Sequence, residues 1–224
     1  MIICVPNVLS AQELATIGGE LERASFVDGS TTAGWSAREV KRNQQLDFSS
    51  ADHTRLATMV REAFMRNAML QAATLPSNLT QVLFNRYASG MHYGPHVDAA
   101  VMGPMENAVR TDIAITIFLS DPKSYSGGEL TVLSNGLGYE FKLEAGSAIA
   151  YPANTLHHVK PVTHGARNAA IIWVQSQVRD PAKREILWDL ANAKHQVFTR
   201  EGKSPTFDAV SKSHANLMRM WAET

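Results

Sequence analysis

Cysteine is almost missing: Cys4 is the only one in 224 residues. No internal disulfide can form, which agrees with a reducing cytoplasmic setting. An excess of charge of one sign is also missing, with 21 Lys and Arg against 21 Asp and Glu. Nothing in that balance points to a nucleic-acid partner. No run of about 18 apolar residues exists, so no membrane span is expected. The opening "MIICVPNVLS" lacks the basic start and long apolar stretch of a secretion signal. Internal repeats and low-complexity tracts are absent too. What remains is the composition of a soluble globular protein. Its length suits one sizeable core, hence one domain with helical additions.

Helical patterning comes first. Ser10 followed three residues later by Glu13 reads as a capping box, and Leu14, Ile17 and Leu21 continue as a helical stripe. A second helix is expected from about Ser50 to Ala72, with Leu56, Val60, Ala63 and Phe64 on its apolar face. Between them, "TTAGWSAREVKRNQQLD" has no clear period and reads as loop, with room for one strand. Its "KRNQQLD" portion reads as a solvated edge or as a lid.

From residue 79 to 178 the pattern turns to strands. "LTQVLFNRY", "DIAITIFLS", "ELTVLS", "YEFKL", "SAIAYP" and "NAAIIWVQSQV" are each short, and "NGLG" reads as a hairpin turn between two of them. Close-spaced strands with Gly-rich turns argue for a double-sheet barrel or sandwich. Helix returns after Asp180-Pro181, an N-cap with a first-turn proline. Farther on, Phe207, Val210, His214, Leu217 and Trp221 recur at near-heptad spacing. Such a stripe packs on its own domain or forms a homodimer interface.

The stretch "NRYASGMHYGPHVDAAVM" carries His96 and Asp98 in a His-x-Asp pattern. On an extended segment, side chains two apart share a face, so these two can converge on one point. Downstream, "YPANTLHHVKPVTHGAR" offers His157 and His158. Adjacent strand residues point to opposite faces, so one of the two is expected to complete a set of two histidines and one carboxylate. That set leaves one side of a metal open, as in non-haem iron(II) oxygenases. A closed structural zinc site would need four protein ligands, often cysteines, and only Cys4 is available. Arg167 could then neutralise the far carboxylate of a keto acid with two parallel hydrogen bonds. If Arg167 points into the barrel, Ala169, Ile171, Trp173 and Gln175 share its face, and Ile171 and Trp173 are expected to wall the pocket. His92 reads as a loop residue or part of the substrate entrance. His53, His195 and His214 fall on expected helices and read as structural. Gly127 and Gly128 read as a turn before "ELTVLS".

Together, "NRYASGMHYGPHVD", "RTDIAITIFLS", "YSGGEL", "YPANTLHHVKPVTHGAR" and "WVQSQVRD" resemble the bacterial PKHD-type hydroxylases. These are iron(II)- and 2-oxoglutarate-dependent dioxygenases related to prolyl and lysyl hydroxylases. The resemblance covers most of the chain. It implies an α+β fold, mainly β: a double-stranded β-helix (jelly roll) at about 79–178, within a dioxygenase domain 1–178 that includes supporting N-terminal helices. A C-terminal helical extension, 179–224, follows. It carries the metal-ligand roles onto His96, Asp98 and His157, and the 2-oxoglutarate role onto Arg167 and Tyr87. It implies Fe(II), 2-oxoglutarate and L-ascorbate, dioxygen, and a small-molecule or peptidyl substrate. The family's association with iron-uptake genes implies a link to iron homeostasis. Ala99 and His164 depart from the family pattern, where asparagine and arginine are frequent. The rival readings are a cupin-like metal enzyme needing no keto acid and a non-catalytic iron sensor. Cosubstrate-dependent succinate release separates them.

Overall fold

A computed structural model of the chain describes residues 1–134 and 136–223. Helix α1 (Ala11–Arg23) starts as its capping box requires: the Ser10 backbone N–H donates to Glu13 Oε2 at 2.8 Å, and Ser10 Oγ accepts from Glu13 N at 3.3 Å. The expected second helix is two helices, α2 (Ala51–Arg66) and α3 (Ala68–Thr74). Asn67 separates them because it leaves helical geometry (ψ 104°) and caps α3, its side chain accepting from Leu70 N. A capping residue thus outweighs a continuous apolar stripe. Helix α4 (Pro181–Glu201) is capped by Asp180 and stops at Gly202, whose φ of 64° suits glycine. Helix α5 (Pro205–Trp221) folds back on α4. No residue of α5 is fully buried. Among the described residues, no helix is long and apolar enough to cross a membrane.

Two antiparallel sheets stack to form the jelly roll. The larger has the order Ile3–Val5, Ala148–Pro152, Ile113–Phe118, Ala166–Ser176, Leu83–Ala88, Gln44–Leu46, Phe26–Asp28, and Pro76–Leu79 also pairs with Ala166–Ser176. The smaller runs Leu137–Phe141, Leu130–Ser134, His157–Val159, His92–His96, Lys41–Arg42. "LTQVLFNRY" is therefore not one strand: Leu79 ends the strand Pro76–Leu79, and the next begins at Leu83. Asn135 of the expected hairpin turn lies outside the described residues; the strands it joins pair with Ser134 opposite Leu137.

Strand alternation splits the apolar residues of the large sheet between two cores. Ile113, Ile115, Ile117, Ala170, Ile172 and Val174 face Ile17, Leu21, Leu56, Val60 and Phe64 of the helices. Ala114, Phe118, Ala169, Ile171 and Trp173 face the smaller sheet, against Leu130, Val132 and Val159. The helices thus cover one face of the large sheet. Its other face and the small sheet enclose the space where the polar residues gather.

The Glu13 contact ties α1 to α2. Arg66 lies 2.5 Å from Glu13 Oε2 and, with Ser10, holds the Glu13 carboxyl at about 2, below its ordinary 4.5. A depressed carboxylate contributes stability above its unfolded pKa, and that contribution is lost as pH falls from 4.5 toward 2. Denaturation by urea at about pH 5 and about pH 3 should cost the wild type more stability than Arg66→Ala over that interval. Arg66 is half exposed, so the difference is small and shrinks with salt. Equal losses in the two proteins would contradict the pairing.

Candidate metal and cosubstrate site

His96 and His157 are direct cross-strand neighbours in the small sheet. Their ring centroids lie 4.2 Å apart. Each Nδ1 meets the backbone carbonyl two residues earlier: His96 with Gly94 O at 2.8 Å, His157 with Thr155 O at 2.9 Å. A carbonyl only accepts, so Nδ1 carries the proton and Nε2 keeps its lone pair. Both Nε2 atoms are thereby left as potential ligands. Asp98 Oδ1 stands 3.9 Å from His96 Nε2 and 3.7 Å from His157 Nε2. Two ligands about 2.1 Å from a common ion are at most about 4.2 Å apart. Both carboxylate–imidazole distances fall inside that limit, and one donor atom from each of the three residues lies within 4.8 Å of the others, so a small closing movement of the rings brings all three onto one metal. All three side chains are buried. Burial, then the nearby His157, push the His96 imidazole down to about 3, so it is neutral as a metal ligand must be. Burial raises the Asp98 carboxyl, opposed by His157 and by a hydrogen bond from Trp173.

That Trp173 bond is a contact sequence reasoning missed. Its Nε1–H donates to Asp98 Oδ2 at 2.8 Å, which leaves Oδ1 turned toward the histidines. Ile171 and Trp173 do line the pocket, as strand alternation from Arg167 predicts. The pairing with Asp98 depends on how the two sheets stack, which no local pattern encodes. Tyr93 stacks on His96, centroids 3.5 Å apart and 16° between planes, so the ligand ring is held on its face as well as at Nδ1.

His158 turns away from this centre and pairs with Thr131. His92 begins the strand His92–His96, opposite Arg42, rather than sitting in a loop, and it does not line the pocket. His53 is a core residue with its ring nitrogen 2.8 Å from Val82 O. Ala99 lines the pocket, whereas His164 is exposed.

Arg167 is 1 % exposed. Its strand pairs it with Tyr87, and its guanidinium carbon lies 5.3 Å from the ring centroids of both Tyr87 and Phe118. Its Nε has no hydrogen-bond partner among the described residues. A buried guanidinium without a carboxylate is costly, so the arrangement suits an anionic guest. Burial pushes the Tyr87 phenol up to about 12, opposed by Arg167, so Tyr87 stays a hydrogen-bond donor at neutral pH. Arg167, Tyr87 and the three metal-site residues all line one pocket of about 320 Å³.

Gly128 fits closely behind Arg167. A Cβ there would lie 3.1 Å from Arg167 Cδ and 2.9 Å from Val162 Cγ2, at a φ of +70°. Gly128→Ala is expected to displace the Arg167 stem and, on the reading that Arg167 holds 2-oxoglutarate, to weaken its binding about tenfold or more with metal affinity unchanged. Isothermal titration of both ligands checks this; unchanged cosubstrate affinity would contradict it.

Lys41 was not anticipated as a pocket residue. The segment 41–46 passes from the small sheet to the large one, and Lys41, Asn43 and Gln45 are all buried while Arg42 is exposed. The solvated-edge reading of "KRNQQLD" therefore fails for its alternate residues. The signal was the period-two spacing, masked because all the residues are polar. Burial lowers the Lys41 amine to about 8, with Asp98 and Asp28 opposing, so it is still charged at neutral pH.

Comparison with known proteins agrees with this geometry. A family model described as the 2OG-Fe(II) oxygenase superfamily matches residues 82–175. A PKHD-type hydroxylase of Gloeothece citriformis (strain PCC 7424) is 48 % identical over 223 residues, covering 100 % of both chains. Among solved structures, a Pseudomonas putida prolyl-4-hydroxylase shares the fold with a TM-score of 0.53 at 16 % identity, over 78 % of this chain and 92 % of that one. A Trichoplax adhaerens prolyl hydroxylase, solved with a hypoxia inducible factor peptide fragment, gives 0.54 at 14 % identity, over 83 % and 86 %. With a jelly roll around a His-Asp-His cluster and near-half identity to such relatives along its full length, the chain belongs to the PKHD-type hydroxylases, iron(II)- and 2-oxoglutarate-dependent oxygenases.

Proposed function

We propose that His96, Asp98 and His157 hold the iron(II), that Arg167 and Tyr87 hold the far carboxylate of 2-oxoglutarate, and that a C–H bond of a small-molecule or peptidyl substrate is hydroxylated beside them. The observation that carries this reading is the aim of two Nε2 lone pairs and one carboxylate oxygen at a common point, in a pocket that also holds a buried guanidinium whose Nε has no partner among the described residues. Bound iron and 2-oxoglutarate supply the activation of dioxygen and the oxidation of the C–H bond, with 2-oxoglutarate ending as succinate and carbon dioxide.

The chain's own residues supply position and dryness. The two backbone carbonyls fix the imidazole tautomers, and Trp173 fixes the carboxylate. His96, Asp98 and His157 would hold the metal from one side and leave its pocket-facing side accessible to the cosubstrate. Arg167 offers two parallel N–H donors and Tyr87 an O–H donor to the cosubstrate carboxylate. No side chain of the pocket needs to act as a general base. L-Ascorbate belongs to this reading as the accessory reductant, and slower inactivation over repeated turnovers in its presence tests that part.

The test is succinate formation by anaerobically iron-loaded protein on admission of air. The reading predicts succinate only when iron(II) and 2-oxoglutarate are both present. Iron-dependent oxidation that ignores 2-oxoglutarate would overturn it.

A further inference from the structure

Two cations line the pocket, and the proposed function uses one. Among the lining residues only Lys41, Asp98 and Arg167 carry charge. Lys41 is 5 % exposed. Its ammonium donates to Thr32 Oγ1 at 3.0 Å and stands 5.2 Å from the Tyr93 ring centroid. Among the described residues it makes no other hydrogen bond and has no ion-pair partner. Asp98 is the carboxylate of the pocket, and the reading above commits it to the metal.

A charge count then decides what the pocket lacks. Iron(II) brings two positive charges and 2-oxoglutarate two negative. Asp98 adds one negative and Arg167 one positive. The loaded centre is neutral without Lys41, which remains as a buried, uncompensated cation. Such a charge is expensive unless an anion joins it. The neighbourhood is polar where a substrate would have to be read. Asn85, 8 % exposed and also lining the pocket, has its Oδ1 without a hydrogen-bond partner. Tyr93 links this region to the metal site, since its ring faces the ammonium and stacks on His96. A group held by Lys41 is thus one aromatic ring away from a metal ligand.

We infer that Lys41 is the substrate anchor, and that the substrate is a carboxylate-bearing molecule whose anionic group pairs with Lys41 while a hydrogen-bond donor meets Asn85. This rests on the oxygenase reading of the same pocket. A small carboxylic acid and the C-terminus of a peptide share this chemistry, and the test separates them.

The full chain is loaded with nickel(II), which does not turn over, and saturated with 2-oxoglutarate. N-Acetyl-L-amino acids and their matching primary amides are titrated in, with tryptophan fluorescence as the readout, because Trp35 and Trp173 line the pocket. A second arm uses N-acetyl tripeptides with free C-termini and their C-terminal amides. Wild type is expected to bind at least one acid about tenfold or more tightly than its amide, the favoured arm identifying the source. Lys41→Met is expected to lose that preference, Lys41→Arg to keep most of it, and both to bind 2-oxoglutarate within about twofold of wild type. Lys41→Gln keeps a donor for Thr32 and should lose the preference like Lys41→Met, which separates charge from folding. Three results would overturn the assignment: no acid preferred over its amide, a preference that survives Lys41→Met and Lys41→Gln, or weakened 2-oxoglutarate binding in either variant. Wild type that takes up neither nickel nor 2-oxoglutarate would instead defeat the oxygenase site itself, and this assignment with it.

Discussion

Asp98→Ala is expected to abolish iron-dependent succinate formation and to weaken iron(II) binding beyond the reach of routine titration. The carboxylate is the one acidic donor of the cluster, and without it only the two imidazoles would remain to hold an ion. Loss of an outer partner of a metal ligand costs about 10- to 100-fold. Loss of a ligand itself should exceed that. Trp173→Phe supplies the comparison within the same protein. It removes the 2.8 Å hydrogen bond to Oδ2 but leaves Oδ1 in place, so iron affinity should fall by about 10- to 100-fold and not further. The metal-free Asp98→Ala protein should melt no lower than wild type. A buried carboxylate near two imidazoles is a liability until an ion arrives. A variant that retains iron-dependent turnover, or one that merely unfolds, would contradict the role of Asp98.

Arg167→Met is the second large effect. Truncating one partner of a buried charge pair costs about 2–5 kcal/mol, or about 30-fold to several thousand-fold in 2-oxoglutarate affinity. Iron(II) affinity should be unchanged, because Arg167 is not among the metal-site donors. Stability should move the other way. In the free protein the guanidinium is buried between Tyr87 and Phe118 with its Nε unpartnered, so an apolar side chain of similar length relieves a desolvation cost. The melting temperature of free Arg167→Met is therefore expected to rise, while the stabilisation that 2-oxoglutarate gives the wild type disappears. Arg167→Lys should recover part of the affinity, since the charge returns without the two parallel donors. Unchanged dependence on 2-oxoglutarate concentration in Arg167→Met would remove Arg167 from the cosubstrate site.

Much of this site was legible before the structure because strand periodicity is a strong local rule. His-x-Asp could be read as two ligands on one face. Arg167, Ile171 and Trp173 could be read as sharing a face, and all three line the pocket. The choice between His157 and His158 needed the family pattern, and the register that sets His157 opposite His96 is a long-range fact. The helix expected to run past residue 66 failed at Asn67 because one capping side chain redirected the backbone. Lys41, Asn43 and Gln45 were hidden for a different reason. Polar residues at alternate positions usually face water, and here they are buried where the chain passes between two sheets, Lys41 alone of the three lining the pocket. The Trp173–Asp98 hydrogen bond spans 75 positions of sequence and leaves no trace in any short window.

The central claim is that one metal ion sits among His96 Nε2, Asp98 Oδ1 and His157 Nε2, in the pocket that also holds Arg167. Anomalous diffraction at the iron edge, from crystals grown without oxygen in iron(II) and 2-oxoglutarate, tests it most directly. The account predicts one strong peak about 2.0–2.2 Å from all three atoms, with the cosubstrate's far carboxylate on the Arg167 guanidinium. A peak bound elsewhere, or a cosubstrate whose carboxylates both lie away from Arg167, would contradict it.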